Sequence, residues 1–329
     1  MSKIALVTGI TGQDGSYLSE FLLNQNYEVV GLCRRSSNPN YSRISRILNH
    51  PKLILEEFDL SDPSGCNRII NKYQPDELYN LAAQSHVGTS FHQPSTTTSF
   101  NTLGVINLLE GIRMHSPKTK LYQASTSEMF GRNYSTSVDG VKYQDENTNM
   151  LPQSPYGVAK LASHHLISIY RSSYNLFCCS GILFNHESPR RGDNFVTRKI
   201  TKYIGQLINN KHQSKLKLGN LDAHRDWGHA IDYVKGMWLM LQQSQPDDYV
   251  LATGSTHSVK DFLTSAFSIV NLDYNNYVDI NSDLFRPAEV DYLCGNPSKA
   301  EKQLGWSRHY TFDTLVSDMV NSDIALYAS

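Results

Sequence analysis

Short apolar segments recur along the first half of the chain and predict buried β-strands. They occupy approximately residues 4–7, 28–33, 52–58, 76–82, 119–125 and 176–184. Stretches with apolar residues at helical spacing separate these segments, so that strands and amphipathic helices alternate. This alternation is typical of an α/β fold with a doubly wound parallel sheet, in which helices connect the strands and ligands bind at the carboxyl ends of the strands.

The second half of the chain follows a less regular pattern. Helical spacing predicts helices near 194–210 and 230–244, and aromatic-rich connections join them. A long polar stretch over about 132–155 predicts an extended loop near the functional site. We therefore expect a first domain over 1–180 and a smaller, interleaved α/β lobe over 181–329, with some segments of the second returning to the first.

Composition narrows the class of protein. Of the 329 residues 40% are hydrophobic and the formal net charge is −1, with an isoelectric point of about 6.9. These values predict an ordinary soluble globular protein with no general affinity for nucleic acid or an anionic membrane. No apolar run reaches the roughly 18 residues of a membrane span. The five cysteines form no C-x-x-C pair, which favours reduced thiols and a cytoplasmic location.

Three evenly spaced glycines follow the first predicted strand. Residues 6–18 read LVTGITGQDGSYL, with glycines at positions 9, 12 and 15, and a helix is predicted over about 16–23. Glycines at a strand-to-helix junction permit a tight turn and close approach of a ligand, while the N-terminus of the helix favours a phosphate group. The turn therefore favours a dinucleotide site, although a plain connection between a strand and a helix also uses such glycines.

The end of the second predicted strand bears on which dinucleotide binds. An acidic residue that binds a ribose hydroxyl is expected there, but the chain has Arg34 and Arg35 followed by two serines. Guanidinium groups attract a 2′-phosphate that a carboxylate would repel, so this pair favours NADP over NAD. The alternative is an exposed basic turn.

The end of the third predicted strand carries Asp59 and Leu60. Their position suits contact with adenine. Asp59 is also compatible with capping the next helix, because residues 61–63, Ser-Asp-Pro, are typical of a helix start.

A tyrosine and a lysine four residues apart are the first candidates for chemistry. The stretch SPYGVAKLASHH carries Tyr156 and Lys160 on a helix predicted to begin near Pro155, which places both side chains on one face. A tyrosine hydroxyl normally loses its proton only near pH 10, and an adjacent ammonium group stabilises the phenolate. We therefore expect Lys160 to activate Tyr156 as a base. Taken alone, the pair is also compatible with an exposed i,i+4 contact.

A cluster of hydroxyl groups and one carboxylate follows the predicted strand that ends near residue 125. The segment YQASTSEMFG supplies Ser125, Thr126, Ser127 and Glu128. In a doubly wound fold this edge of the sheet holds the active site, although a Ser/Thr turn or a helix cap uses the same residue types. The glycine turn, the arginine pair, this cluster and the Tyr/Lys pair together indicate a dinucleotide-dependent enzyme.

These motifs resemble the extended short-chain dehydrogenase/reductase family and, within it, the GDP-mannose 4,6-dehydratases. Over essentially the whole chain the resemblance rests on TGITGQDGSYL, RRSS, NLAAQSHVGTSF, STSEMFG, SPYGVAK, FNHESPRRGDNFVTRKIT, GNLDAHRDWGHAIDYVKGMWLMLQ, ATGSTHSVKDF and RPAEVDYLCGNPSKAEKQLGW. The motifs NHESPRRG and NLDAHRDWGHA are similar to the dehydratases rather than to their epimerase and reductase relatives. The resemblance implies a Rossmann domain that binds NADP and a smaller lobe that binds a GDP-sugar.

The resemblance also implies a reaction. GDP-α-D-mannose would lose water to give GDP-4-dehydro-6-deoxy-α-D-mannose, a lyase reaction with internal hydride transfer from C4 to C6 that leads toward deoxysugars of the GDP-fucose or GDP-rhamnose type. Tyr156, assisted by Lys160, would take the C4 hydroxyl proton and Thr126 would bind O4, while Glu128 would remove the C5 proton. For Glu128, solvation or pairing with Arg132 is the alternative.

Carried over residue by residue, the resemblance implies two sets of contacts. The cofactor contacts are Gly9, Thr11, Gly12, Gln13, Asp14, Gly15, Arg34, Arg35, Asp59, Leu60, Leu81, Ala82, Ala83, Gln84, Ser85, Tyr156, Lys160, His186 and Arg191. The substrate contacts are Ser85, Thr126, Glu128, Asn185, Lys199, Arg225 and Arg286, of which the cations suit a diphosphate.

Two features lie outside this pattern. Thr96 stands where the family often has a tyrosine near the cofactor, which predicts one looser cofactor contact. His164 and His165 have no partner at metal-ligand spacing, so we predict packing or surface roles for them and no metal site.

Other functions remain open from the sequence. A GDP-sugar reductase or epimerase, or a dehydratase that also reduces its product, shares most of these motifs, and a non-catalytic dinucleotide sensor would keep the fold. The residues Thr126, Glu128, Tyr156 and Lys160 argue against the sensor, because loss of activity would not spare all four. The resemblance also implies a homodimer or homotetramer, with the RRSS loop at a subunit contact.

Overall fold

The computed structural model describes residues 2–211, 214–285 and 290–328. In chain order its strands are β1 (Ile4–Thr8), β2 (Glu28–Cys33), β3 (Leu53–Glu57), β4 (Glu77–Asn80), β5 (Lys120–Thr126), β6 (Ser135–Thr136), β7 (Lys142–Tyr143), β8 (Cys178–Leu183), β9 (Asn185–Glu187), β10 (Leu216–Leu218), β11 (His224–Arg225), β12 (Trp227–His229), β13 (Asp248–Leu251), β14 (His257–Ser258) and β15 (Val278–Ile280).

The helices connect these strands. In chain order they are α1 (Gln13–Asn24), α2 (Pro63–Tyr73), α3 (Val87–His92), α4 (Pro94–Thr98), α5 (Gly104–His115), α6 (Pro155–Tyr174), α7 (Val196–Ile208), α8 (Ala230–Leu241), α9 (Val259–Ser268), α10 (Ser298–Leu304) and α11 (Phe312–Ala328). A π-helical turn, Ser99–Leu103, joins α4 to α5. Single 3₁₀ turns occupy Ser42–Ile44, Ser127–Met129, Tyr274–Asn276 and Ser282–Leu284.

A parallel sheet forms the centre of the molecule. Within the described residues it contains seven strands in the order β13-β8-β5-β4-β1-β2-β3. The chain runs outward from β1 through β2 to β3, and on the other side from β4 through β5 and β8 to β13, so the winding direction reverses between β1 and β4. In such sheets the ligand cleft opens at the carboxyl ends of the strands next to the reversal. The predicted Rossmann-like, doubly wound fold is therefore confirmed.

Hydrogen bonds fix the chain at this reversal point. β1 and β4 end side by side, with Thr8 paired to Asn80, and the Thr8 hydroxyl donates to Asn80 Oδ1 at 2.7 Å. The same hydroxyl oxygen accepts hydrogen bonds from the backbone N–H groups of Leu81 at 3.0 Å and Ala82 at 2.9 Å. The first residues of the predicted cofactor segment after β4 are therefore held against the end of β1.

Each face of the sheet carries its own apolar core. On one face, Val7 of β1 packs in a cluster with Leu22 of α1 and Met237 of α8. On the other, Leu6 packs in a cluster with Leu109 of α5. Neighbouring residues of a strand point to opposite faces, so a strand between two helix layers must be apolar at every position. This explains why the predicted strands appear as continuous apolar runs.

The second lobe is built on a separate core. Helices α7, α9 and α11 pack through side chains such as Ile204, Phe262 and Met319. The second lobe also contains three short two-stranded pairings: β10 with β15, β11 with β14 and β12 with β9. Strand β13 and helix α8 belong to the main sheet and its helix layer, so the chain returns there after entering the second lobe.

Two local predictions differ from the structure. Helix α1 begins at Gln13 rather than near residue 16, with Gly12 in extended conformation as its N-cap. The first turn is polar, so apolar spacing gives no signal for it. Within the predicted loop over 132–155, β6 and β7 form a short antiparallel pair, and Glu146 accepts a hydrogen bond from the N–H of Val250 at 2.7 Å. The loop thus covers the edge strand β13.

Two further observations concern the cysteines and membrane-spanning helices. The five cysteines, all within the described ranges, are unpaired, and Cys178 and Cys179 lie buried in β8. Among the described residues, no helix combines the length and apolar character needed to span a membrane.

Candidate active site

A large cleft opens where the carboxyl ends of the strands face the second lobe. Its volume is about 1690 Å³. With one exception, the predicted site residues all line it: Gly9, Thr11, Gly12, Gln13, Asp14, Gly15, Arg34, Arg35, Asp59, Leu60, Leu81, Ala82, Ala83, Gln84, Ser85, Thr126, Glu128, Tyr156, Lys160, Asn185, His186, Arg191, Lys199 and Arg225. The exception is Arg286, which lies outside the described residues.

The glycine turn brings the backbone close to the floor of the cleft. Gly9 has a φ of 68°, a left-handed conformation that favours glycine. A Cβ atom on Gly15 would lie 2.3 Å from the carbonyl oxygen of Gly9, so a side chain at this position cannot be accommodated. No side chain caps the N-terminus of α1, and helix N-terminal N–H groups attract anions. This geometry can hold a dinucleotide pyrophosphate.

A carboxylate–imidazole pair lies at this helix terminus, with the imidazole buried and the carboxylate partly exposed. Asp14 Oδ2 is 2.8 Å from His186 Nε2, and His186 Nδ1 is 2.7 Å from the carbonyl oxygen of Phe184. Burial disfavours charge on both groups, but their mutual attraction outweighs it, so the pKa of Asp14 lies below its ordinary value and that of His186 above it. Both ring nitrogens of His186 are within hydrogen-bond distance of an acceptor, which suits the imidazolium form of the ring. The pair joins α1 to β9 across the cleft floor.

The π-helical turn supports the segment that follows β4. Asn101 Oδ1 accepts a hydrogen bond from the N–H of Gln84 at 3.0 Å, and Asn101 Nδ2 donates to the Gln84 carbonyl at 2.9 Å. The carbonyl of Asn101 in turn accepts a hydrogen bond from Ser163 on α6 at 2.6 Å. Single π turns inside helices often occur at functional sites. Here the Asn101 side chain within the turn fixes Gln84 at the cleft wall.

The arginine pair lies at the edge of the cleft, as predicted. Arg34 and Arg35 are exposed, and the guanidinium carbon of Arg34 is 5.9 Å from the centre of the Phe100 ring. Nearby, Asp59 accepts hydrogen bonds from the N–H and hydroxyl of Ser61 at 2.9 and 2.6 Å, which lower the pKa of Asp59. The N-cap of α2 is Asp62, so the alternative role of Asp59 as that cap is excluded.

The end of β5 turns sharply and places two side chains in the cleft. Thr126 is its last residue, and Thr126 Oγ1 accepts a hydrogen bond from the N–H of Glu128 at 3.3 Å. The 3₁₀ turn Ser127–Met129 then carries Glu128 into the cleft wall, while Met129 enters the apolar core. A hydroxyl and a carboxylate thus stand together at a strand end, as the sequence predicted.

Helix α6 supplies the tyrosine and the lysine. Ser154 caps it by accepting a hydrogen bond from the N–H of Gly157 at 3.0 Å, and Pro155 occupies its first turn. Tyr156 and Lys160 are both buried and line the cleft. The helix start and the shared face of the two side chains are therefore as predicted.

The electrostatics of this pair differ from the simple expectation of an ammonium that activates the phenol. Burial raises the pKa of Tyr156 to about 12, against a smaller lowering by a hydrogen bond with Thr126. Burial lowers the pKa of Lys160 to about 8. The Lys160 ammonium donates to the carbonyl of Ala124 at 2.9 Å and lies 6.0 Å from the centre of the Tyr156 ring. In this structure burial therefore dominates both pKa values, and stabilisation of the phenolate by Lys160 stays a prediction.

The second lobe contributes the opposite wall of the cleft. Asn185 begins β9, Lys199 is exposed on α7, and Arg225 ends β11 with most of its surface buried. Arg225 Nη1 donates to the carbonyls of His224 at 2.8 Å and Val290 at 2.7 Å. Two cations, Lys199 and Arg225, thus line the cleft from the second lobe, and Asn185 follows the strand β8 that pairs with β5. This set suits a phosphorylated ligand.

Sequence reasoning missed three cations of the cleft, Arg43, Arg68 and Lys217. Arg43 donates to the carbonyls of Arg190 at 2.7 Å and Thr11 at 3.3 Å, which ties the loop after β2 to the glycine turn. Arg68 of α2 and Lys217 of β10 also line the cleft. None of the three belongs to a recognisable motif, and no local signal separates them from ordinary surface cations.

Two further expectations concern residues near the cleft. Thr96, which stands where the family often has a tyrosine near the cofactor, lines the cleft. His164 is buried on α6, with its Nδ1 3.4 Å from the Ser125 hydroxyl and its Nε2 3.9 Å from Asp248 Oδ2. The predicted packing role thus fits His164, whereas His165 is exposed.

Comparisons with known proteins relate the whole chain to one family. The family described as GDP-mannose 4,6 dehydratase matches residues 6–319. GDP-mannose 4,6 dehydratase 2 of Arabidopsis thaliana is 52% identical, over 98% of this chain and 87% of its own. The corresponding enzyme of Drosophila melanogaster is 46% identical over 98% and 87%. That of Vibrio cholerae is 44% identical over 98% and 94%.

Solved structures share the fold at lower identity. A dTDP-glucose 4,6-dehydratase from Bacillus anthracis, in complex with NAD, has a TM-score of 0.83 and 19% identity, covering 98% of this chain and 96% of its own. RMD from Pseudomonas aeruginosa, complexed with NADPH, has a TM-score of 0.80 and 20% identity, covering 99% and 100%. At such identity these likenesses establish the fold alone.

Proposed function

Because the chain belongs to the GDP-mannose 4,6 dehydratase family, as its motifs predict, we propose that it converts GDP-α-D-mannose to GDP-4-dehydro-6-deoxy-α-D-mannose and water. The observation that carries the proposal is the cleft that gathers Thr126, Glu128 and Tyr156 beside the glycine turn and opposite the cations of the second lobe. These residues come from distant parts of the chain. Their convergence supports an active site for a nucleotide sugar.

The cofactor of the proposed reaction is NADP. When bound, it accepts a hydride from C4 of the sugar and returns it to C6. The tight glycine turn and the N-terminus of α1 suit the pyrophosphate, and solved structures with the same fold are described with NAD or NADPH. Arg34 and Arg35 supply positive charge where a 2′-phosphate would lie, which favours NADP over NAD.

Tyr156 takes the proton of the C4 hydroxyl. Thr126 and Tyr156 both line the cleft, and in the proposed reaction the Thr126 hydroxyl binds O4 while the phenol oxygen receives the proton. The pair Tyr156–Lys160 must give up one proton before Tyr156 acts as a base. Since the pKa of Lys160 is about 8 and that of Tyr156 about 12, Lys160 loses its proton first. The reactive form, with the phenolate beside the ammonium, is a minor tautomer of the same charge state.

Glu128 removes the proton at C5. The ketone at C4 acidifies this proton, and its loss accompanies departure of the C6 hydroxyl as water. A proton then returns to C5 and the hydride to C6, which balances the net loss of one water. An epimerase has no need for a base at C5. Glu128 therefore separates the proposed reaction from that of an epimerase.

The second lobe binds the GDP portion of the substrate. Asn185, Lys199 and Arg225 line the cleft, and the two cations offset the charge of a diphosphate. Arg286 belongs to the same proposal on the strength of its sequence motif alone.

The location and assembly of the protein also belong to the proposal. A cytoplasmic location agrees with five unpaired cysteines. A homodimer or homotetramer would place the exposed loop that begins at Arg34 against a second copy. Light scattering at micromolar concentration tests the assembly, and a strictly monomeric, fully active protein would contradict it.

The experiment incubates the purified protein with GDP-mannose and catalytic NADP⁺ and follows the nucleotide sugar by mass spectrometry. We expect loss of one water with the unchanged protein and with the control Glu110→Gln, whose carboxylate lies at the surface paired with Arg113. With Glu128→Gln we expect little or no loss of water. An unchanged mass with the unchanged protein would overturn the proposal, while two extra hydrogens upon adding excess NADPH would reveal an additional reductase activity.

A further inference from the structure

Consecutive residues of the second lobe, Arg225 and Asp226, hold the same neighbouring segment from two sides. Arg225 lines the cleft and donates through Nη1 to the carbonyl of Val290 at 2.7 Å. Asp226 is fully buried, and its Oδ2 accepts a hydrogen bond from the N–H of Gly295 at 3.1 Å. The segment 290–295 is thus attached at its first residue by Arg225 and at its last by Asp226.

The Asp226 carboxylate is surrounded by donors. Oδ1 accepts hydrogen bonds from the N–H and the hydroxyl of Thr253, both at 2.7 Å. Oδ2 accepts a hydrogen bond from the N–H of Gly254 at 3.0 Å, besides the one from Gly295. A buried carboxylate is tolerated only with such partners. Asp226 therefore joins three pieces of chain: its own, the end of β13, and the segment 290–295.

Backbone contacts place that segment directly against Arg225. The N–H of His224 donates to the carbonyl of Asp291 at 2.8 Å, and the N–H of Leu293 donates to the carbonyl of His224 at 3.2 Å. The segment therefore runs alongside β11. Any displacement at Gly295 passes along this pairing to the Val290 carbonyl that orients the Arg225 guanidinium.

We propose that Asp226 is a positioning residue for the diphosphate of the substrate: it fixes the segment 290–295 and so directs Arg225 into the cleft. The inference rests on the proposed function, in which Arg225 binds the diphosphate. It adds a residue that is fully buried and contributes no atom to the cleft wall. The ordering of Arg225 before the ligand arrives reduces the entropy lost on binding.

The variant Asp226→Asn keeps the size of the side chain and removes half of its accepting capacity. One amide oxygen still accepts hydrogen bonds from Thr253, but the NH₂ group then faces the N–H groups of Gly254 and Gly295, donor against donor. We expect the dissociation constant of GDP, measured by calorimetry with NADPH present, to rise at least tenfold. The KM for GDP-mannose should rise by a similar factor, with kcat within threefold and NADPH affinity within twofold of the unchanged protein.

A matched control exists on the next helix. Asp232 is also buried, and its Oδ2 accepts hydrogen bonds from the N–H groups of His309 at 3.0 Å and Tyr310 at 3.1 Å, residues that do not line the cleft. Asp232→Asn should lower the melting temperature yet leave the GDP dissociation constant within twofold. If Asp226→Asn does not fold, Thr253→Val removes one hydrogen bond to the same carboxylate and should weaken GDP binding two- to fivefold.

The outcomes separate this inference from the proposed function. GDP affinity that stays within twofold in Asp226→Asn, or that falls equally in Asp232→Asn, would overturn the positioning role. A protein that binds GDP in the Arg225-dependent manner but releases no water from GDP-mannose would overturn the proposed reaction and leave the positioning role standing.

Discussion

Substitution of Gly15 by alanine tests the cofactor site through a contact that the structure measures directly. The added Cβ would lie 2.3 Å from the carbonyl oxygen of Gly9 and 2.7 Å from the Cα of Ile10, whereas ordinary van der Waals contact begins at 3.4 Å. Both neighbours are backbone atoms, which cannot swing aside. The first turn of α1 must therefore move by about 1 Å.

The size of the effect follows from this displacement. Forcing one extra carbon into a packed site costs about 1–3 kcal/mol. The N–H groups that move are those proposed to bind the pyrophosphate. If the turn relaxes when the site holds no cofactor, the cost of about 1–3 kcal/mol falls on the bound state alone and weakens binding by that amount. Such a loss corresponds to about 5- to 150-fold weaker affinity, since 1.4 kcal/mol is a factor of ten. We therefore expect the dissociation constant of NADPH to rise by about 5- to 150-fold in Gly15→Ala.

The assay is a fluorescence titration with NADPH, paired with thermal unfolding. Gly111→Ala is the control, because its Cβ would meet the flexible tip of Ile70 at 2.7 Å, and Gly111 lies in the interior of α5. That variant should bind NADPH within twofold of the unchanged protein. Unchanged NADPH affinity in Gly15→Ala, with a melting temperature equal to that of the unchanged protein, would refute the reasoning about the turn.

Three further predictions test other parts of the cleft. The kcat/KM for GDP-mannose should rise about tenfold per pH unit from pH 6 toward 8, because the Tyr156–Lys160 pair must lose one proton and the pKa of Lys160 is about 8. A profile already flat at pH 6 would show that a different group controls the reaction. Replacing both Arg34 and Arg35 by alanine should weaken NADPH at least tenfold and NADH less than threefold, measured by titration, because only the 2′-phosphate is lost as a partner. Equal weakening of both cofactors would contradict this. Asn101→Ala removes both hydrogen bonds that hold the segment after β4 and should raise the KM for NADP⁺ about tenfold. The near-isosteric Asn101→Asp loses the donor but keeps an acceptor, so its KM for NADP⁺ should lie between that of the unchanged protein and that of Asn101→Ala.

The sequence predicted those parts of the site that depend on neighbours along the chain. The glycine turn, the Tyr156–Lys160 pair and the cluster at Thr126 are each contained in one short motif at a strand end, and the fold brings strand ends together. The strands of the main sheet other than β13 were predicted because strands buried on both faces are apolar throughout. Strand β13 has only four residues, DYVL, and follows a polar stretch, so its pattern carried too little information.

The parts that the sequence did not predict depend on distant partners. Arg43 acts on Thr11 and Arg190, and Asp226 acts on Thr253 and Gly295. No spacing rule links residues so far apart in the chain. The direction of the Lys160 ammonium toward a strand carbonyl is a result of packing between α6 and β5. Helical spacing alone cannot show it.

The most direct test of the proposed reaction uses GDP-mannose carrying deuterium at C4, with only catalytic NADP⁺ present. Internal hydride transfer predicts a product that has lost one water and carries the deuterium at C6, seen by mass spectrometry and by NMR. Recovery of the deuterium at C4 of a sugar that has kept its water would show an epimerase or an idle redox cycle, and would contradict the account.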